Sequence, residues 1–429
     1  MARYMIISKG APLDKIEKEL VRCGATNIVK HIHVGQIAAD LDSDSLNRLY
    51  ANPGILIKPV KEIGLTDVNA TIIKAAPLEQ IVATLQQDVV TQAFSELRNL
   101  YTPPLTGVGL TVAVLDTGIR KTHNALRDKV VYEYNATSSP TMSDVYGHGT
   151  GVASIICGED LSAYHIGVSP GSKVMNIKVM GDNGVATTES IVAGIEHVIS
   201  LVDNCRRAGI GPMDPMYPNV INLSMGGTDT GDVDEPMLIA ARSAVRDWDI
   251  DVIAAAGNFG PGRTTITIPA TDPLVFAVGG VETGSLYVWE KSSRGPTQLG
   301  NTKPDFMAWA TDITVATHRN DTEYDIKSGT SFSTPIICAL SGILWETTRL
   351  TLSPLFAPQY VFRWGQIVPY ARNYCVKPVD AAIIKDNIYG YGTPIGGAII
   401  QQLMGGTGSS QQLIQTLPML MMMAMLSAM

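Results

Sequence analysis

Three short segments each set one reactive side chain among small residues. They are Val114-Leu115-Asp116-Thr117-Gly118, Gly147-His148-Gly149-Thr150 and Gly329-Thr330-Ser331-Phe332-Ser333-Thr334-Pro335. A serine hydroxyl alone is a poor nucleophile. It gains reactivity when an imidazole takes its proton and a carboxylate orients and stabilises that imidazole. Carboxylate, imidazole and hydroxyl, in this chain order, is one of the orders in which the same constellation recurs on unrelated folds. Taken singly, Asp116 reads as a turn cap and His148 as a structural histidine. Taken together, the three segments describe nucleophilic acyl transfer.

Such side chains need a frame, and the surrounding pattern supplies one. From Gly109 onward, short β-branched runs alternate with helical stretches. The runs are Leu110–Leu115, Lys173–Val179, Val220–Ser224, Val252–Ala256 and Val275–Val278. The helices are Gly149–Cys157, Thr188–Val202, Glu235–Asp247 and Thr334–Arg349. Continuous apolar runs suit strands buried on both faces, so the alternation predicts a doubly wound, mostly parallel α/β sheet. Asp116 then ends a strand, where parallel sheets present functional groups. Gly107 and Gly109 precede that strand, which excludes a dinucleotide loop, because that fingerprint follows its strand. His148 starts a helix between glycines that let the backbone turn. Ser331 opens the Thr334–Arg349 helix, with Pro335 in its first turn; a helix N-terminus favours a developing oxyanion.

These segments resemble those of the subtilases, the subtilisin-like serine peptidases, from about Gly107 to about Gly392. Tyr146-Gly147-His148-Gly149-Thr150-Gly151-Val152-Ala153-Ser154 resembles the family's histidine box, with Gly151 where many members carry a larger residue. Gly329 to Pro335 resembles the nucleophile box and places the reactive serine at Ser331 rather than Ser333. The resemblance implies a serine endopeptidase with Asp116, His148 and Ser331 as its triad. Asn258, in Ala254-Ala255-Ala256-Gly257-Asn258-Phe259-Gly260, is implied as the oxyanion donor beside the Ser331 N–H. Asn222-Leu223-Ser224-Met225-Gly226-Gly227 is similar to the segment that pairs with an extended substrate, which makes Leu223, Ser224, Met225 and Gly226 substrate-binding. Gly181–Gly184 lies where members carry a second such edge. Phe259 and Thr267 fall where the family shapes the primary pocket, Thr267 favouring modest side chains. Ser292-Ser293-Arg294-Gly295-Pro296, Lys303-Pro304-Asp305 and Tyr389-Gly390-Tyr391-Gly392 are also family-like. Ala308-Trp309-Ala310 departs from the usual Ala-Pro-Gly.

Residues 1–62 read as a small α+β unit ahead of this domain. Tyr4–Ser8, Asn27–His33, Gln36–Leu41 and Ile55–Val60 suit strands; Pro12–Cys23 and Asp42–Tyr50 suit helices. The βαββαβ order is ferredoxin-like. Its position resembles the inhibitor-type propeptide of many subtilases, with a regulatory ligand-binding domain as the other reading. Residues 63–80 read as a linker and 81–404 as the catalytic domain. Leu78–Tyr101 carries amphipathic helices stopped by Pro103 and Pro104. Residues 405–429 hold a Gly/Ser linker and a Met-rich tail too short for an ordinary membrane span of ~20 residues. The tail suits packing on the domain, a partner or a membrane contact.

The bulk numbers fit this reading. The chain has 429 residues, 45% hydrophobic and 17% charged, with a net charge of −8. That balance argues against nucleic acid as a partner. The five cysteines show no CxxC pair and no metal-ligand spacing. His31 and His33 share a strand face but are too few for zinc. No cofactor is required for the chemistry. A structural Ca²⁺ in the Gly158–His165 loop, with Glu159 and Asp160 as hard oxygen donors, is the one metal the resemblance brings to mind. The N-terminus lacks the pattern of a secretory signal, so the sequence as given reads as intracellular, or secreted if its start is incomplete.

Three functions follow in order. The first is an endopeptidase made as a self-processing zymogen, acting on polypeptides, inhibited by its own propeptide and cut between about Gly64 and Thr91. The second is a protease-fold assembly protein limited to self-cleavage or inactive. The third, another hydrolase, lacks the Gly-x-Ser-x-Gly elbow around its serine.

Overall fold

The structure is a computed structural model. It describes residues 1–50, 52–65, 104–352, 375–378, 381–382 and 384–394. The helices expected over Leu78–Tyr101 and the Met-rich tail lie outside the described residues.

Strand β6 (Thr111–Asp116; the strands before it are given below) is buried at every position. Its side chains alternate between two cores, as the pleat requires. Val112 and Val114 join Val152, Ile156, Ile336 and Leu340; Ala113 and Leu115 join Ile191, Ile195 and Ala240. The other strands of this sheet are β7 (Val130–Asn135), β8 (Lys173–Lys178), β10 (Val220–Leu223), β12 (Asp251–Ala255), β13 (Phe276–Val281) and β14 (Phe306–Trp309). Their order is β14-β13-β12-β10-β6-β8-β7, and every pairing is parallel. Helices α3 (His148–Cys157) and α6 (Thr330–Leu352) supply one core, and α4 (Thr188–Arg207) and α5 (Pro236–Arg246) the other. This is the doubly wound α/β sheet that the alternation predicts. The strand order reverses beside β6, so the carboxyl ends of β6 and β10 flank the crevice where such sheets place their chemistry.

Two sheet strands escape the sequence reading. In β7 every residue is only half-buried, and Glu133 and Asn135 interrupt its apolar pattern. β14 follows Lys303-Pro304-Asp305, whose proline reads as punctuation. Helix α6 begins at Thr330, four residues before the expected start, and Pro335 lies inside it.

The N-terminal unit has strands β1 (Ala2–Ser8), β2 (Thr26–His31), β3 (Gln36–Leu41) and β4 (Ile55–Pro59), with helices α1 (Leu13–Cys23) and α2 (Ser43–Tyr50). The sheet order is β2-β3-β1-β4, all antiparallel, as a ferredoxin-like unit requires. Ile16 and Leu20, one helical turn apart on α1, pack on Ile6, Ile37 and Leu41. The opposite sheet face carries Met5 and Ala38, and the turn between β2 and β3 carries Val34, into the core that α4 and α5 line. Polar contacts follow the same seam. Arg3 meets the Glu189 carboxylate through two guanidinium nitrogens, and the Glu196 carboxylate accepts the backbone N–H groups of His33 and Val34.

His31 sits at this seam, 3% exposed. Burial lowers its tendency to take a proton, against the pull of Glu196 and Glu189. His123 and His197 are lowered by burial too. A histidine held neutral in the fold binds fewer protons than in the unfolded chain. Stability is therefore full above the unfolded value near 6.5 and is lost as the pH falls below it. The melting temperature of the Ser331→Ala protein should drop between pH 7 and pH 5, and His31→Asn should drop less. Equal pH dependence in both proteins would remove His31 from the account.

Candidate active site

Asp116, at the end of β6, has no exposed surface. His148 is the first residue of α3, and its Nδ1 lies 2.7 Å from Asp116 Oδ1. A carboxylate only accepts, so Nδ1 carries the proton and Nε2 is left as the basic nitrogen. The Thr117 N–H donates to the same Oδ1 at 2.7 Å. Burial raises the Asp116 carboxyl above the usual carboxylate range, while His148 pulls it the other way. Glycines make the approach of strand and helix feasible. A Cβ on Gly149 would stand 2.2 Å from the Gly118 carbonyl oxygen and 3.0 Å from Asp116 Oδ1. Gly147 turns the chain into α3 with φ +103°.

Ser331 lies in the first turn of α6. Its Oγ donates to the Ser224 carbonyl at 2.9 Å, and Ser224 Oγ donates to the Ser331 carbonyl at 2.8 Å. Pro335 explains the second bond. It has no N–H to offer the carbonyl four residues earlier, so a side chain from beyond β10 supplies the donor. The Phe332 ring packs 5.4 Å from the His148 ring, centre to centre. Asn258 follows β12. Its Oδ1 accepts from both the backbone N–H and Oγ1 of Thr330, each at 2.9 Å. That fixes the amide and leaves Nδ2 buried, with no hydrogen-bond partner among the described residues. Thr330 was not singled out in the sequence, although it stands inside the nucleophile segment.

Beside these groups lies a three-stranded sheet whose middle strand comes from near the N-terminus. β5 (Glu62–Leu65) pairs antiparallel with β9 (Val185–Thr187) on one side and β11 (Met225–Gly226) on the other. Glu62, Ile63 and Gly64 face Thr187, Ala186 and Val185; Gly64 and Leu65 face Gly226 and Met225. Ile63 is 3% exposed and joins the core with Ala186 and Ile268. Burying such a side chain contributes about 1.5–3 kcal/mol. Gly227 makes room for it, since a Cβ there would stand 2.7 Å from Ile63 Cδ1.

The sequence-derived binding residues divide by role. Leu223 and Met225 send their side chains into the core, so only their backbone can meet a peptide. Ser224 reaches Ser331 as described. Thr267 is 2% exposed, and its Oγ1 would lie 2.3 Å from a Cβ on Gly226. Phe259 is 61% exposed at the rim. On the other side of β5 the pairing strand is β9, which follows Gly181–Gly184. That stretch is a turn, with Gly184 at φ +74° and its N–H donating to the Gly181 carbonyl. Gly151 faces Val315, whose Cγ2 would be 3.1 Å from a Cβ there, so no larger side chain enters without displacement. A buried carboxylate missed in the sequence, Asp144, holds the loop before His148.

The loop considered for Ca²⁺ does not fit it. A calcium ion takes six to eight oxygens. Glu159 pairs with Lys129 at 2.7 Å. Asp160 accepts from the Ser162 N–H and Oγ, the Ala163 N–H and the Tyr324 hydroxyl. Among the described residues, no three His, Cys, Asp or Glu side chains gather closely enough to hold a metal.

The model of the subtilase family matches residues 107–359, more than half of the chain. This chain belongs to the subtilase family. The serine protease AprX of Bacillus subtilis (strain 168) is 29% identical over 268 residues, covering 56% of this chain and 58% of that one. The subtilisin-like protease SBT6.1 of Arabidopsis thaliana is 30% identical over 280 residues, covering 62% and 24%. The chain therefore spans less than two thirds of the length of either relative. Among solved structures, sphericase aligns with a TM-score of 0.54 at 25% identity, covering 67% of this subtilase and 92% of that chain.

Proposed function

We propose that this subtilase is a serine endopeptidase, made as a precursor whose N-terminal unit occupies its own cleft. The observation that carries the reading is β5. It lies as a middle strand between β9 and β11, and its last residue pairs with Met225, next to the Ser224 carbonyl that holds the Ser331 hydroxyl. An extended peptide is thus the shape the cleft takes, bound mainly through its backbone.

Ser331 Oγ attacks the peptide carbonyl carbon while His148 Nε2 takes its proton. Asp116 keeps the imidazole in the right tautomer and stabilises its charged form. The oxyanion meets Asn258 Nδ2 and the Ser331 N–H. The C–N bond breaks as the leaving amine takes the proton from His148. Water, deprotonated by the same nitrogen, then releases the acyl group.

The test is intact mass over time for the wild type beside Ser331→Ala. The wild type should lose an N-terminal piece ending beyond Leu65 and then hydrolyse peptides, whereas Ser331→Ala should stay whole. Cleavage without later peptide hydrolysis would point to a protein that cuts only itself. Two full-length proteins would end the zymogen reading.

A further inference from the structure

Asp116 and His148 sit on different elements, a strand and a helix, yet their bond requires a fixed register between the two. Asp144 connects them. Its carboxylate is 4% exposed and takes five hydrogen bonds. Oδ1 accepts from Thr117 Oγ1 at 2.9 Å, the Tyr146 N–H at 3.0 Å and the Gly147 N–H at 2.7 Å. Oδ2 accepts from the Thr150 N–H at 2.9 Å and Thr150 Oγ1 at 2.7 Å. Thr117 is the residue after Asp116, and Thr150 lies two residues after His148. Thr117 Oγ1 in turn accepts the Gly149 N–H at 3.0 Å, closing a ring of bonds around both triad members.

The surrounding chain is shaped for this bridge. Gly147, immediately before α3, has no side chain to cap the helix. Asp144 meets N–H groups at that helix's positive end from outside it. Gly118, at φ +112°, has backbone atoms of Met142, Ser143 and Asp144 where a Cβ would stand, at 2.8–2.9 Å. The loop is therefore pressed against the end of β6. A carboxylate taken out of water is costly without such donors, so a bond network of this density marks a built feature.

We propose that Asp144 is a positioning residue that locks the Asp116 strand end to the His148 helix start and so holds the imidazole in line with Ser331. The inference rests on the peptidase reading. Asp144 touches neither substrate nor nucleophile. Without it, the two elements keep their direct bond between Thr117 Oγ1 and the Gly149 N–H but lose the five bonds that fix its angle, and a misplacement of about 1 Å costs about 10²-fold in rate.

The experiment compares wild type, Asp144→Asn and Thr117→Val, each made as the full chain and left to mature. Active sites are counted with a fluorophosphonate, and kcat and KM are read separately on one peptide. Asp144→Asn turns one acceptor oxygen into a donor facing Thr150. Its kcat should fall about 10²-fold with KM changed by less than about threefold, because peptide binding is untouched. Thr117→Val cuts the same bridge from the other side and should lower kcat in the same way. The double variant should be little worse than either alone, since both break one link. A wild type without activity would fail the peptidase reading itself. An active wild type matched in kcat by both variants overturns the role of Asp144. Should Asp144→Asn not fold, Thr117→Val decides alone: normal kcat overturns the proposal, and a kcat loss at unchanged KM supports it.

Discussion

Asp116→Asn should lower kcat by about 10⁴-fold while leaving KM close to its starting value. The substitution is nearly isosteric at a site with no exposed surface, so packing is retained. What changes is the hydrogen-bond direction. Asp116 Oδ1 accepts from both His148 Nδ1 and the Thr117 N–H. An asparagine that places its amide nitrogen at that position gives up the bond from the Thr117 N–H and offers an N–H to the ring. Nδ1 then becomes the acceptor and the proton moves to Nε2, where it blocks uptake of the serine proton. The charge that stabilises the imidazolium is lost as well. Steady-state rates on fluorophosphonate-titrated enzyme measure the effect. A kcat within about tenfold of the wild type would separate Asp116 from the chemistry.

The segments around Asp116, His148 and Ser331 left a sharper trace in the sequence than the edges of the sheet around them. Reactive groups on a crowded strand end need glycine neighbours, and Gly149 shows why: its missing Cβ would otherwise meet the Gly118 carbonyl. Such demands leave a local trace. The core strands were legible for a similar reason, because burial on both faces leaves unbroken apolar runs such as Thr111–Asp116. The edge strand β7, half-buried throughout, leaves none. The start of α6 was placed late because Pro335 was read as a first-turn residue. In the fold, Ser224 supplies the donor that Pro335 lacks, so the proline sits deeper in the helix.

Roles carried by backbone were the hardest to read. Leu223 and Met225 were read as part of a substrate-pairing segment, and their side chains belong to the core, which leaves their backbone for that role. Asp144 stays hidden because three of its five bonds come from backbone N–H groups. Ile63–Leu65 fell in the stretch taken for a linker. Their β5 pairing partners are on β9 and β11, far along the chain, and no local pattern announces them. On the proposed precursor reading, the same pairing lets one short segment serve as both inhibitor and model substrate. It gains affinity from main-chain bonds that any extended peptide can make, and selectivity from the one side chain, Ile63, that the cleft buries.

Asn258→Ala isolates the remaining part of the reaction, stabilisation of charge on the substrate oxygen. Thr330 uses its N–H and hydroxyl to hold Asn258 Oδ1, so the amide cannot turn, and Nδ2 is presented buried and unpaired among the described residues. A donor fixed in this way is reorganised by neither substrate nor solvent, and it acts where charge appears rather than on the ground-state carbonyl. Removing such a donor in a subtilisin costs about 10²–10³-fold in kcat. The same loss is expected here, with KM nearly unchanged. Thr330→Val should show a smaller loss of the same kind, because Asn258 then keeps the backbone donor but not the hydroxyl. Both variants retain the acid–base pair, so Ser331 should still react with a fluorophosphonate to completion. A loss confined to KM would assign Asn258 to peptide binding instead. A Thr330→Val enzyme as slow as Asn258→Ala would mean that the amide's orientation, rather than its presence, limits the rate.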